Sequence, residues 1–168
     1  MATSGADPKT IYGADARALQ VSKDQGRSWE LLGPAPEGLV DIAASSEAPS
    51  RLFAATQGGL LKSGDGGKVW QDAYWPRQPA TMVHVTPGGV VHAFVVGTGL
   101  IESMEPKLTW RAINKSGFSD DYLLHFAVDP GNHSKFYAIS FDPQSKAQAV
   151  LASDDAGKTW APLGSAIN

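Results

Sequence analysis

Hydrophobic residues run along this chain in short bursts, each cut off by Gly, Asp, Asn or Pro. The bursts come in pairs: TIYGAD with ALQVS, RLFAAT with GLLKS, VVHAFVV with GLIES, and KFYAIS with AVLAS. Runs this short, made of aliphatic, aromatic and small side chains and bounded by turn formers, predict antiparallel hairpins. No stretch of about ten residues follows the helical period. A third run opens at a Trp after each pair (WELLG, WQDAY, WRAIN, WAPLG), and a fourth precedes the next pair (GLVDIAAS, ATMVHVTP, YLLHFAVDP). The weaker MATSGADP stands in that place before the first pair. The pattern predicts four units of four strands, over approximately residues 1–34, 35–76, 77–115 and 116–168.

The step from third to fourth strand repeats one motif. SKDQGRSW starts at Ser22, SGDGGKVW at Ser63 and SDDAGKTW at Ser153, each reading S-x-D-x-G-x-x-W. A decayed copy, SMEPKLTW, starts at Ser103 with Glu105 for the Asp and Lys107 for the Gly. Trp29, Trp70, Trp110 and Trp160 close the four boxes. Units of about 40 residues with four strands each are the signature of β-propeller blades. The expected fold is therefore all-β, a propeller of four-stranded antiparallel blades.

The box resembles the Asp-box, or bacterial neuraminidase repeat, of sialidase-like and sortilin-like propellers, and the resemblance covers the whole chain as four units. It implies a structural role at the blade rim, away from the ligand-binding mouth. The residue chemistry agrees. Asp24, Asp65 and Asp155 suit an Asx-type turn that collects backbone N–H groups. Gly26, Gly67 and Gly157 suit backbone angles denied to residues with a Cβ, and each Trp can lay an apolar face on the sheet. One Asp per box is too few for a Ca²⁺ loop. The decayed box at Ser103, Glu105 and Trp110 is expected to cost that hairpin local order.

The sialidase resemblance also implies an activity, and the chain departs from it. Sialidases set three arginines around the substrate carboxylate, with a Tyr–Glu pair, an Asp acid/base and an Arg-Ile-Pro motif. This chain has Arg17, Arg27, Arg51, Arg77 and Arg111 but no Arg-Ile-Pro, and Arg27 lies inside a box. Nucleophile-elbow, zincin and phosphate-loop motifs are missing as well. Other propellers of the resemblance include photosystem assembly factors and sortilin-type receptors.

Composition narrows the chemistry further. With no cysteine among 168 residues, thiolate metal sites and cysteine nucleophiles drop out. A net charge of −3 with no cluster of Lys and Arg argues against nucleic acid. No apolar run has the length of a membrane-spanning helix. MATSGADPKT lacks signal-peptide regions, so the chain as written reads as cytoplasmic, and as periplasmic or secreted if a leader was removed.

Two sets of residues stand out as candidate sites. Asp41, His84 and His125 lie on the first strands of their units, which line the channel of a propeller. Asp41 and His125 fall at equivalent positions, His84 shares their face by parity, and Thr3 takes the same place in MATSGADP. Two imidazoles and a carboxylate can hold a zinc or copper ion without thiolate, and polar lining of a wet channel is the plainer reading. His92 and His133 are expected at surface or packing positions. At the mouth, Tyr74, Trp75 and Arg77 in one connection, and Phe118, Asp120, Asp121 and Tyr122 in the next, form a candidate patch for a protein or small ligand. The leading expectation is a non-enzymatic binding or assembly propeller. An exported metal-binding protein comes second and a glycoside hydrolase third. Ring closure stays open between a four-bladed monomer, a homodimer sharing a larger ring, and part of a longer propeller.

Overall fold

The computed structural model describes residues 1–15, 17–75, 77–114, 118 and 121–164. It is all-β: four separate antiparallel sheets of four strands, with no helix among the described residues. Blade I holds β1 (Ala2–Thr3), β2 (Ile11–Ala14), β3 (Ala18–Ser22) and β4 (Glu30–Pro34). Blade II holds β5 (Leu39–Ala44), β6 (Leu52–Thr56), β7 (Gly59–Ser63) and β8 (Gln71–Asp72). In blade III are β9 (Ala80–Val85), β10 (Val90–Val95), β11 (Gly99–Met104) and β12 (Arg111–Asn114). Blade IV has β13 (Tyr122–Asp129), β14 (Asn132–Phe141), β15 (Gln148–Ser153) and β16 (Ala161–Pro162). Every sheet is ordered as its strands follow in sequence, each joined to the next by a hairpin. The chain is a β-propeller, as its repeats predict.

Alternation along the strands fixes which neighbour each side chain meets. In blade II, Leu52 turns towards blade I and joins the cluster of Tyr12, Leu19 and Val21. Phe53 and Ala55 turn the other way and join Val83, Val91 and Ala93 of blade III. A third cluster, with Met82, Phe94, Leu100, Leu123 and Ala138, fills the seam between blades III and IV. The core thus consists of three inter-blade seams rather than one central mass.

The first strands pack in series: β1 on β5, β5 on β9, and β9 on β13. Between β13 and β1 there is no comparable contact among the described residues. The four blades form an open arc.

The pairing register also corrects one expected alignment. Box Ser22 pairs through Ile11 to Thr3, whereas box Ser153 pairs through Phe136 to Val128. Thr3 is therefore the counterpart of Val128 and not of His125. By the same register Asp41 and His125 are equivalent, opposite Ala55 and Ile139. Met82, opposite Phe94, holds that place in blade III. His84 sits two residues further on, on the same face, as parity predicts.

Candidate functional site

Antiparallel order puts the β-turns of a blade at two ends. The first-to-second and third-to-fourth turns share one end, and the second-to-third hairpins share the other with the connections between blades. The boxes are third-to-fourth turns, so they lie opposite the connections that carry Tyr74, Trp75, Arg77, Phe118, Asp121 and Tyr122.

The three intact boxes are built alike. Ser22, Ser63 and Ser153 each donate from Oγ to Oδ1 of Asp24, Asp65 and Asp155 at 2.8 Å. Each hydroxyl also accepts the N–H of the box glycine, Gly26, Gly67 or Gly157, at 2.7–2.9 Å. The Asp collects the N–H four residues on, from Ser28, Val69 or Thr159. The glycines stand at φ 88°, 90° and 83°, in the left-handed region. The Ser hydroxyl and the Asp carboxylate of each intact box are thus engaged with their own turn, which is a fastener's geometry.

The decayed box, third along the chain, does something else. Glu105 is buried, and its Oε2 accepts Ser45 Oγ at 2.5 Å and Arg51 Nη1 at 2.6 Å, both from blade II. Ser103 Oγ, freed from box duty, has no hydrogen-bond partner among the described residues. Instead of a loosened hairpin, this decayed copy supplies a buried carboxylate that clamps two blades. Trp110 keeps its place, donating from Nε1 to the Ala73 carbonyl of blade II at 2.6 Å.

The channel cavity, about 290 Å³, is lined by Thr3, Asp41, His84 and His125 together, with Met82 and Phe126 among its walls. Yet among the described residues no three His, Asp or Glu side chains gather closely enough to hold a metal ion. Asp41 is already spent. Its Oδ1 accepts the Ile42 N–H at 2.8 Å and its Oδ2 accepts the Val83 N–H of blade III at 3.0 Å. His84 sits edge-on to Phe126 with ring centroids 5.6 Å apart. Burial, and then the neighbouring His92 imidazole, pushes His84 down to about 4. The trio expected as metal ligands is therefore one inter-blade staple, one neutral packed imidazole and one exposed His125.

Sequence reading missed a polar row across blade III. His84 pairs with His92, His92 with Glu102, and Glu102 with Arg111, one residue per strand. His92 is buried between Phe126 and Phe136, and its Nε2 lies 3.4 Å from Glu102 Oε2. Arg111 forms an ion pair with the other Glu102 oxygen. His92, and then Arg111, hold the Glu102 carboxyl below the usual carboxylate range. The signal was present: the position held by His92 is Tyr12, Phe53 and Tyr137 in the other blades. A histidine in an aromatic slot needs a partner for its nitrogens.

At the mouth end, a cavity of about 330 Å³ opens between blades III and IV. Phe94, Phe118 and Tyr122 form its aromatic wall, and Thr98, Asp121 and Gln144 contribute polar groups. Phe118 is itself buried, edge-on to Phe94 and Trp160. Asp120 lies outside the described residues. In the neighbouring connection the candidates divide. Tyr74 folds inward against Trp110 at 6.0 Å, Arg77 holds Asp72 through two hydrogen bonds of 2.9 and 2.7 Å, and Trp75 stays 75% exposed.

The sequence matches no protein-family model and no curated protein. Solved structures with a similar fold include an ancestral GH74 enzyme (TM-score 0.64, 16% identity, 96% of this chain and 25% of that one). A chain of the nidogen/laminin complex is also similar (TM-score 0.67, 8% identity, 92% of this chain and 61% of that one). So is YCF48 from Cyanidioschyzon merolae (TM-score 0.61, 15% identity, 98% of this chain and 55% of that one). The chain spans between a quarter and under two thirds of the length of these neighbours. At such identities the likeness is one of fold. No helix among the described residues is long and apolar enough to cross a membrane.

Proposed function

We propose that this chain is a non-enzymatic binding propeller of the Asp-box type that engages a protein segment at its mouth end. The observation that carries the reading is the cavity between blades III and IV, with Tyr122 and Asp121 at its lining, on the same end as the exposed Trp75. An exposed Trp and a half-buried Tyr beside a few polar groups are the chemistry of protein hot spots, where large rigid surfaces bind at low entropic cost. The complex with laminin formed by nidogen, a fold neighbour, is consistent with such use of a propeller.

Hydrolysis finds less support. A glycosidase needs two carboxyl groups roughly 5–10 Å apart across the sugar, and the channel cavity offers Asp41 alone, with both oxygens engaged. A metal-binding role meets the same objection at Asp41.

Selection of peptides from a displayed random library against the full chain tests the proposal. Selected peptides should lose about thirtyfold or more in affinity for Trp75→Ala, Asp121→Ala or Tyr122→Ala, the effect of a hot-spot truncation of about 2 kcal/mol. Affinities indifferent to all three substitutions would overturn it. So would turnover of xyloglucan oligosaccharides or of a fluorogenic sialoside.

A further inference from the structure

The cavity between blades III and IV, about 330 Å³, is near the lower end of the roughly 300–1,000 Å³ of ligand pockets. That is room for one long side chain and not for a strand or a helix. The rings of Phe94, Phe118 and Tyr122 supply its apolar wall. Phe118 stands edge-on to Phe94 at 5.7 Å and to Trp160 at 5.6 Å, and Phe94 and Phe118 are both buried. The wall is therefore set by the packing of the seam before any partner arrives.

The polar groups beside that wall call for hydrogen-bond donors and for positive charge. Asp121 is the one charged residue among the described lining residues, and no donor or cation meets its carboxylate. Thr98 has spent its hydroxyl hydrogen on Gln78 Oε1, at 2.8 Å, so its Oγ1 can only accept. A second negative charge stands close by. Asp142 precedes Pro143 of the lining, and hydrogen bonds from Ser145 Oγ and then the Gln144 N–H hold its carboxyl below the usual carboxylate range. An acidic ligand would set like charges together here, and an apolar one would bury the Asp121 carboxylate unpaired; both are unfavourable.

We infer that this cavity receives a Lys or Arg side chain of the bound protein segment, its alkyl stem against Phe94, Phe118 and Tyr122 and its cationic head on Asp121. The inference rests on the reading of the chain as a binding propeller and names what its mouth selects. A long basic side chain fits both halves of the cavity, because its stem is apolar while its head carries only donors. Aromatic rings attract a cation as well as an alkyl chain. An ion pair at the edge of such a wall is shielded from water, and this is where losing one charge weakens binding most.

Peptides selected from a displayed random library on the full chain test this. The selected sequences should share a Lys or an Arg. Synthetic copies with norleucine for that Lys, or citrulline for that Arg, should bind about thirtyfold or more weakly, and the parent peptides should lose as much on Asp121→Asn. Selection repeated on Asp121→Lys should enrich Asp or Glu in place of the basic residue. Urea midpoints check that both variants are folded, and Asp121→Asn, which keeps the shape of the side chain, carries the test where the lysine does not fold. Three results would overturn the inference while Trp75→Ala and Tyr122→Ala still weaken binding, and would leave the binding reading standing: peptides that share no basic residue, indifference to norleucine and citrulline, or indifference to Asp121→Asn. A library that yields no binder, or binders indifferent to every mouth substitution, would overturn the reading and the inference together.

Discussion

Gly26 and Gly67 hold the same place in two boxes, with φ of 88° and 90°, yet their surroundings differ. Gly26 has open space around it, while Gly67 presses on Leu19, which is fully buried. Alanine at Gly26 should cost only the left-handed backbone, about 1–2 kcal/mol. At Gly67 the same change adds overpacking of a seam, about 1–3 kcal/mol more. Urea unfolding of the two variants measures the difference, and equal losses would mean that Gly67 has no seam role. The sequence announced both glycines through the spacing of the box. It could not announce the contact with Leu19, because that residue lies in another blade and enters only when the sheets are stacked.

At the scale of elements, the third box shows what a motif conceals when it changes. Glu105 looked like decay because a box is judged by its own turn. Its partners are 54 and 60 residues away in sequence, and no local pattern points to Arg51 or Ser45. A buried carboxylate left without its cation is costly, whereas an apolar replacement of both partners is often neutral. Glu105→Ala and Arg51→Ala should each lose roughly 3 kcal/mol or more, and Arg51→Met combined with Glu105→Leu should recover most of it. A double-mutant cycle in urea reads the coupling, and simple additivity would remove the clamp from the account. Strand order, by contrast, was open to reading throughout. Each hairpin is local, and alternation tells which side chains share a face. The same limit holds in the channel: parity puts Asp41, His84 and His125 around it, but does not tell where the Asp41 oxygens are engaged.

The acid response belongs to the whole molecule, since groups in different blades titrate in separate windows. Unfolded, His84 takes up a proton near pH 6.5, and folded only near 4. A depressed folded-state value means that stability is full above pH 6.5 and falls as pH drops towards 4, by up to about 3 kcal/mol. Asp24 and Asp155 follow. Hydrogen bonds from Ser28 and Thr159 respectively, each reinforced by further box donors, hold them at about 2. Their contribution is present above pH 3.8 and is lost as pH falls towards 2. Urea midpoints measured against pH should show both stages in the native chain, and His84→Leu should flatten the first while keeping the second. An unchanged first stage in that variant would place the titrating group elsewhere.

A closed ring hides where it begins, but the arc described above has a front and a back. Blade I leads and blade IV follows, and the box Trp of each later blade packs on the blade before it. Each blade has to recognise only its immediate neighbours, so a duplicated blade added at either end would arrive with its fitting already cut. That gives the chain an ancestry written as polarity: it can lengthen by copying a unit without redesign of its interior, and it stops only where a ring comes round to meet itself.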